Sequence, residues 1–245
     1  MFFSRALLRT DKADLAELSR LAAKDTYRAH QLVWDLFGDT PDRKRDYLYR
    51  RETVDGQPIF YIVSQRPPAP KNDFWDVVQK DYAPQIEAGE QFAFRVRVNP
   101  VVQRLGDPVL DESGQPKLRT SIKRAGEIKR KVVRHDVVMA AKTTMGDTWD
   151  EKFKLVRWEE AARGWLGDGD ESRCSRHGFS LENLSAHSYI QHRIYRRKQE
   201  PIRFSTLELE GALTVLEPSK FREMLFKGIG PAKGFGCGLL LVRRV

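Results

Sequence analysis

A chain of 245 residues, 40% of them hydrophobic, has room for one large domain or two small ones and enough apolar side chain for a sizeable core. Its 43 Lys and Arg against 34 Asp and Glu leave a formal net charge of +9, an excess that points to a polyanionic partner, nucleic acid before membrane. No apolar stretch approaches the ~18 residues of a membrane span. Arg5 and Arg9 interrupt the N-terminal apolar run that a secretory leader needs, and Cys174 and Cys237 lack the spacing of a zinc site. A cytoplasmic protein with reduced thiols, no metal and no cofactor is expected.

Phe2 to Leu8 predicts a first strand. Asp11 and Asp14 can cap a helix carrying Leu15, Leu18, Leu21 and Ala22. The pattern restarts at Asp25-Thr26 and runs through Tyr27, His30, Val33, Trp34 and Phe37 until Gly38 and Pro41 stop it. Tyr47 to Arg51 and Ile59 to Ser64, joined across Asp55-Gly56, predict a β-hairpin. Arg66 to Pro70 reads as a linker. Phe92-Ala-Phe-Arg-Val-Arg-Val-Asn99 alternates apolar and basic residues, the signature of a half-buried strand. Arg95 and Arg97 then share the face opposite Phe94, Val96 and Val98, where they either track phosphates or stand solvated. The order β-α-β-β-(short helix or loop)-β is that of a ferredoxin-like domain.

Gly106 to Gly114, with Pro108 and Pro116, is turn-rich and places a boundary between an N-terminal domain, 1–105, and a C-terminal one, 106–245. From Lys117 to Arg134 there are eight Lys or Arg against Glu127 alone, a solvated face or a loop on RNA backbone. Val132 to Ala141 fits a helix or a strand, and Trp158 to Leu166 a short helix ended by Gly167. Leu181 to Tyr195 predicts a strand, Arg196 to Pro201 a basic hairpin tip, and Ile202 to Val215 a long strand with Leu207, Leu209 and Leu213 on one face. Pro218 opens a helix at its permitted first turn, and Phe221, Leu225 and Phe226 follow. The fold class expected is α+β: two ferredoxin-like (RRM-like) βαββαβ domains in tandem, alike in pattern and not in sequence.

The last eighteen residues carry five glycines, Gly228, Gly230, Gly234, Gly236 and Gly238, around Lys233, before an apolar run from Leu239 to Val242. Glycine admits positive φ and lets another backbone or a phosphate come close. The dinucleotide fingerprint and the P-loop both lead from a strand into a helix. Here the order is helix, glycine loop, strand, so neither applies.

Gly228-Ile-Gly-Pro-Ala-Lys-Gly-Phe-Gly-Cys-Gly-Leu-Leu240 closely resembles the C-terminal glycine-rich loop of the CasE family, the CRISPR RNA-processing endoribonucleases of type I-E systems within the RAMP superfamily. Three further stretches agree in order. Tyr27-Arg-Ala-His30-Gln-Leu-Val-Trp34-Asp-Leu-Phe37 is similar to the family's first helix. Asp42-Arg-Lys-Arg-Asp46-Tyr47-Leu48-Tyr49 resembles its Pro-Asp-x-x-Arg-Asp-Phe-Leu segment. Phe94-Arg-Val-Arg-Val-Asn99-Pro100 resembles its Phe-Arg-Leu-Arg-Ala-Asn-Pro strand. Between about 106 and 195 the match is poor, and the chain carries extra length there.

The resemblance implies that His30 is catalytic, with Tyr27 on the same helical face. It implies that the hairpin residues Arg196, Arg197, Lys198 and Arg203 enter an RNA stem, and that Lys233 with Gly228, Gly230, Gly234, Gly236 and Gly238 lies against RNA. The implied partners are the CRISPR repeat hairpin, in precursor and mature CRISPR RNA, and other Cascade subunits. The implied reaction is metal-independent attack of a 2′-hydroxyl on the adjacent phosphorus, giving a 2′,3′-cyclic phosphate (or 3′-phosphate) and a 5′-hydroxyl, a task that suits a side chain with a pKa near 6.5. Whether His30 serves as base or acid is left open. Without the resemblance a lone histidine on an amphipathic helix reads as structural, and His135, His177, His187 and His192 compete with it. Two rival readings remain: a catalytically inactive RAMP-type RNA-binding subunit, and a tandem RRM module whose stacking aromatics would be Phe92 and Phe94.

Overall fold

The computed structural model describes residues 1–9, 26–37, 45–70, 74–120, 126–167, 169–196 and 199–245. The expected cap and first helical stretch from Asp11 to Asp25, and the stop at Gly38 and Pro41, lie outside the described residues.

The first unit comprises β1 (Phe2–Leu8), α1 (Thr26–Asp35), β2 (Tyr47–Val54), β3 (Gln57–Ser64) and β4 (Trp75–Asp81). They form an antiparallel sheet in the order β2-β3-β1-β4. Asp55 and Gly56 both take positive φ, 51° and 79°. That pair of values is what a two-residue type I′ turn requires, and it sets the Val54–Gln57 register. Ala29, Leu32 and Val33 of α1, with Leu36 just past its end, recur at helical spacing and bury against Ala6, Leu8, Phe60 and Ile62 of the sheet. Phe37 stacks on Tyr47 with ring centroids 4.4 Å apart.

The second unit begins with β5 (Gln91–Val98). An arm of β6 (Val101–Pro108) and β7 (Arg130–Asp136) follows, then α2 (Val137–Met145), α3 (Lys154–Leu166) and the single turn α4 (Arg173–Arg176). Long strands β8 (Phe179–Arg196) and β9 (Gln199–Val215), helix α5 (Pro218–Lys227) and β10 (Leu240–Arg244) complete it. The sheet order is β10-β5-β9-β8, the same permutation as in the first sheet, so the chain is α+β with two ferredoxin-like units. Phe92, Phe94, Val96 and Val98 bury on one face of β5, as their alternation predicts, against Leu207, Leu209 and Leu213 of β9 and Phe221 of α5. The extra length holds the arm and α2. Asp136 anchors both: one carboxylate oxygen accepts the Val138 and Met139 N–H groups, and the other accepts from Tyr189, at 2.9 Å, and from Ser205.

The structure corrects the expected boundary at residue 105. Phe92 to Asn99 does not close the first sheet; its residues pair with β9 (Phe92 with Leu213) and β10 (Phe94 with Val242). The first sheet is closed instead by β4, which buries only Trp75 and so carries almost no alternating signal. The sheets therefore divide between Asp81 and Gln91. Alternation shows that a strand has one buried face, but not which sheet it joins.

Leu48 and Val63 of the first sheet pack with Leu239 beside β10. Beside this apolar contact lies a buried ionic one. Arg50 of β2, 2% exposed, donates to Glu208 of β9 at 2.8 Å and also to Glu52, while Arg97 of β5 donates to the other oxygen of Glu208. Burial pushes the Glu208 carboxyl up, but Arg97 and Arg50 outweigh it and hold the group below its ordinary value.

Glu208→Ala strips Arg97 of its acid and leaves Glu52 alone against a buried Arg50; a loss of about 3–5 kcal/mol in urea unfolding is expected. Glu210→Ala, which breaks the more exposed Arg95 pair, should cost about 0–1 kcal/mol. Because the folded pKa of Glu208 is depressed, its stabilisation is present above the unfolded carboxylate value and is lost as pH falls through the folded one. The gap between native protein and Glu208→Ala should therefore close in acid; a gap that stays constant down to pH ~3 would contradict this account of the contact.

Candidate active site

With Ala29, Leu32, Val33 and Leu36 turned to the core, the same 3.6-residue period places Tyr27, His30 and Trp34 together on the neighbouring face of α1. His30 lies 6.4 Å from the Tyr27 ring and 6.2 Å from the Trp34 ring. These side chains, with Arg28, Gln31 and Asp35, line an open depression of about 440 Å³. Tyr27 is exposed and His30 half-buried.

The glycine loop closes over this face. α5 ends at Gly228, Ile229 N–H donates to the Gly238 carbonyl at 3.0 Å, and Gly238 N–H donates to the Arg97 carbonyl at 2.8 Å. Gly228 and Gly238 have φ of 72° and 90°, and a Cβ on either would come within 2.8 Å of a backbone oxygen, so only glycine allows the two arms of the loop to touch. The closure presents the 3-10 turn Lys233–Phe235 to α1. There the buried Tyr49 hydroxyl donates to the Gly234 carbonyl at 3.1 Å. The Phe235 ring meets His30 at 5.7 Å and stacks on Phe204 at 4.8 Å, which in turn stacks on His192 at 4.7 Å. His30 is thus the last of four rings running from the β8–β9 hairpin to α1.

Burial lowers the His30 pKa, the Gly234 backbone acts in the opposite sense, and Arg45 adds to the lowering. The ring is neutral at neutral pH, and its Nδ1 is buried with no hydrogen-bond partner among the described residues. Burial also lowers the Lys233 pKa, with the charges of Arg45 and then Lys227 behind it. Among the described residues, no three of His, Cys, Asp or Glu converge as a metal-binding group.

The structure brings Tyr27, His30 and Gly234 together, while the Lys233 side chain runs along Gly238 and its charge bears on His177. Gly228, Gly230, Gly236 and Gly238 instead close on protein, against Leu48, Trp165, Tyr49 and Ile229 respectively. Arg203 is exposed on β9, across the Phe204–Phe235 stack, and lines a groove of about 670 Å³ with Arg134, Arg193 and Asn99. Arg196 ends β8, with its backbone paired to Gln199, whereas Arg197 and Lys198 lie outside the described residues. Arg95 stays exposed beside Glu210, as the solvated reading expects, whereas Arg97 is half-buried and held by Glu208. His192 Nε2 is engaged with Thr206 at 2.9 Å, and His187 lies 3.7 Å from Glu210. Sequence reasoning did not single out Arg45 or the ring pair Phe204 and Phe235. Arg45 stood within a family-like segment; the two phenylalanines meet only in three dimensions.

Three comparisons bear on these observations. The sequence model of a family described as "CRISPR associated protein" matches residues 1–244. A curated relative, CRISPR system Cascade subunit CasE of Escherichia coli (strain K12), is 24% identical over 226 residues, 91% of this chain and 94% of its own. The fold is shared with Cas6e from Escherichia coli str. K-12, with a TM-score of 0.55 at 22% identity over 100% of each chain. It is shared also with Thermus thermophilus Cse3, solved bound to an RNA representing a pre-cleavage complex, with a TM-score of 0.59 at 19% identity over 99% of this chain and 98% of that one. Among the described residues, no helix is long and apolar enough to cross a membrane. With the family match running almost end to end and the glycine loop seated on the histidine-bearing helix, this chain belongs to the CRISPR associated protein family and is a protein of the CasE kind.

Proposed function

We propose that this protein is an endoribonuclease that cleaves precursor CRISPR RNA at the 3′ base of the repeat hairpin and stays on the mature guide RNA as a Cascade subunit. The observation that carries this reading is the convergence on His30 of two elements remote in sequence, α1 and the loop tip with Lys233 and Gly234. The relatives support it: one is named a Cascade subunit, and another was solved on a pre-cleavage RNA.

The reaction needs no group beyond the RNA's own 2′-hydroxyl as nucleophile. That oxygen attacks the adjacent phosphorus, the bond from phosphorus to the 5′-oxygen breaks, and a 2′,3′-cyclic phosphate and a 5′-hydroxyl result. A neutral His30 is the form that accepts the 2′-hydroxyl proton, a contribution of roughly 10²- to 10⁴-fold. The departing 5′-oxygen takes a proton in turn, for which Tyr27 beside the histidine is the O–H donor and Lys233, on the facing turn, the N–H donor. Lys233 also meets the charge that builds on the phosphorane. Duplex RNA is gripped by shape and backbone. The β8–β9 hairpin, with Arg196, Arg197, Lys198 and Arg203, and the groove beside it fit that task and would hold the scissile bond in line.

The deciding assay is cleavage of a repeat-hairpin RNA in EDTA. Native protein should cut it. His30→Ala should cut roughly 10²-fold more slowly or worse, and RNA with a 2′-deoxy scissile nucleotide should bind without reacting. Binding with no cutting by the native protein would make it a binding subunit, and normal cutting by His30→Ala would move the catalyst elsewhere.

The rate should also rise with pH through an ionisation on the acid side of the ordinary histidine value near 6.5, since only the neutral ring accepts a proton. A limb centred above 7 would contradict His30 as the base. Gly238→Ala, with its φ of 90° and no room for a Cβ, should cost about 1–3 kcal/mol of stability and lower cleavage with it. Thermal melts and single-turnover rates measure both effects.

A further inference from the structure

We propose that Arg45 is a catalytic residue: its guanidinium, held over Gly234 beside His30, grips the scissile phosphate. The inference rests on the endoribonuclease reading above and adds the group that binds the reacting centre.

Position is the first argument. A Cβ built on Gly234 would lie 2.7 Å from Arg45 Nη1 and 3.9 Å from both Cε1 and Nδ1 of His30. Guanidinium and imidazole therefore border a single backbone position. Arg45 immediately precedes Asp46 and β2, whose Tyr47 and Tyr49 are buried, so its Cα is carried by a packed element; the residue remains accessible, while partial burial of the guanidinium lowers its pKa.

The second argument is charge. Arg50, Arg66, Arg95 and Arg97 each pair with an acid, and the acid next to Arg45, Asp46, accepts from Arg66 at 2.8 Å. No carboxylate among the described residues pairs with Arg45. Its charge instead weighs on His30 and Lys233, lowering both. An uncompensated guanidinium beside an imidazole is a poor arrangement for an empty surface and a good one for an anion. The guanidinium fork matches two phosphate oxygens at once, which a lysine cannot do.

The third argument is Gly234 itself. The other four glycines of the loop have positive φ; Gly234 does not. No backbone strain demands glycine here. A Cβ at this position would press on the flexible end of Arg45, which can yield, so an alanine here shifts the guanidinium without straining the backbone.

Gly234→Ala is accordingly a way to displace Arg45 without altering it. With enzyme in excess over a repeat-hairpin RNA, Arg45→Met should cleave about 10²- to 10³-fold more slowly, and Arg45→Lys should recover part of the rate. Gly234→Ala should fall in the same range, and the double variant should be no slower than Arg45→Met, because both changes remove one interaction. Binding of the 2′-deoxy RNA should be nearly unchanged, and melting midpoints should stay close to native. Native-rate cleavage by Arg45→Met would overturn the proposal and leave the endoribonuclease reading intact, whereas native protein that does not cut would remove both. Loss of RNA affinity equal to the loss of rate would make Arg45 a stem-binding residue, collapse of the melting midpoint would make it structural, and additive losses in the double variant would uncouple it from Gly234. Each of these would equally overturn the assignment.

Discussion

Glu208 is where the two halves of the molecule are joined. Its carboxylate takes Arg50 from the first sheet on one oxygen and Arg97 from the second on the other. Buried ion pairs are weak contributors to net stability, because desolvation offsets most of the attraction. Their geometry is demanding, however, and here it has consequences on both sides. The strand that carries Arg50 also carries Tyr49, whose hydroxyl holds the Gly234 carbonyl. The residue whose side chain meets Glu208, Arg97, offers its own carbonyl to Gly238 N–H. A shift of one sheet against the other would pull the glycine loop from one of its two anchors.

That loop completes a candidate site that no single element contains. Helix α1 supplies His30 and Tyr27, the approach to β2 supplies Arg45, and the last connection of the chain supplies Lys233, Gly234 and Phe235. The rings of His192, Phe204, Phe235 and His30 give the assembly a continuous apolar backing. Against it, burial lowers the imidazole's pKa and the Arg45 guanidinium adds to the lowering. A neutral imidazole beside a guanidinium is an arrangement that suits the reaction proposed, in which a proton leaves a hydroxyl while negative charge accumulates on phosphorus.

The second unit departs from a bare ferredoxin-like layout in its first crossover. Between β5 and β8 lie the arm of β6 and β7 and the helices α2 and α3, with Asp136 tying the base of the arm to Tyr189 and Ser205. Trp165 of α3 reaches the outer wall of the glycine loop: its ring would meet a Cβ on Gly230 at 3.1 Å, and its Nε1 donates to the Val101 carbonyl at 2.9 Å. Helix α3 thus buttresses the loop at Gly230.

Much of this was legible in the residues. The Asp55-Gly56 turn, the alternation of β5, the Pro218 helix start and the helical spacing of Tyr27 and His30 are local, and each follows from backbone preferences or a short period. What remained hidden is long-range. Arg50 and Glu208 stand 158 positions apart. Phe92 to Val98 announced a half-buried strand, but pairing alone decided that it opens the second sheet. Arg95 and Arg97 sat on the predicted face, yet only the neighbouring strand showed that this face meets Glu210 and Glu208. Nothing in the sequence separates Arg45 from its basic neighbours; the fold sets it over Gly234. Periodicity records which side of an element is covered; what covers it, and which charges are left without partners, depends on residues brought together by the fold.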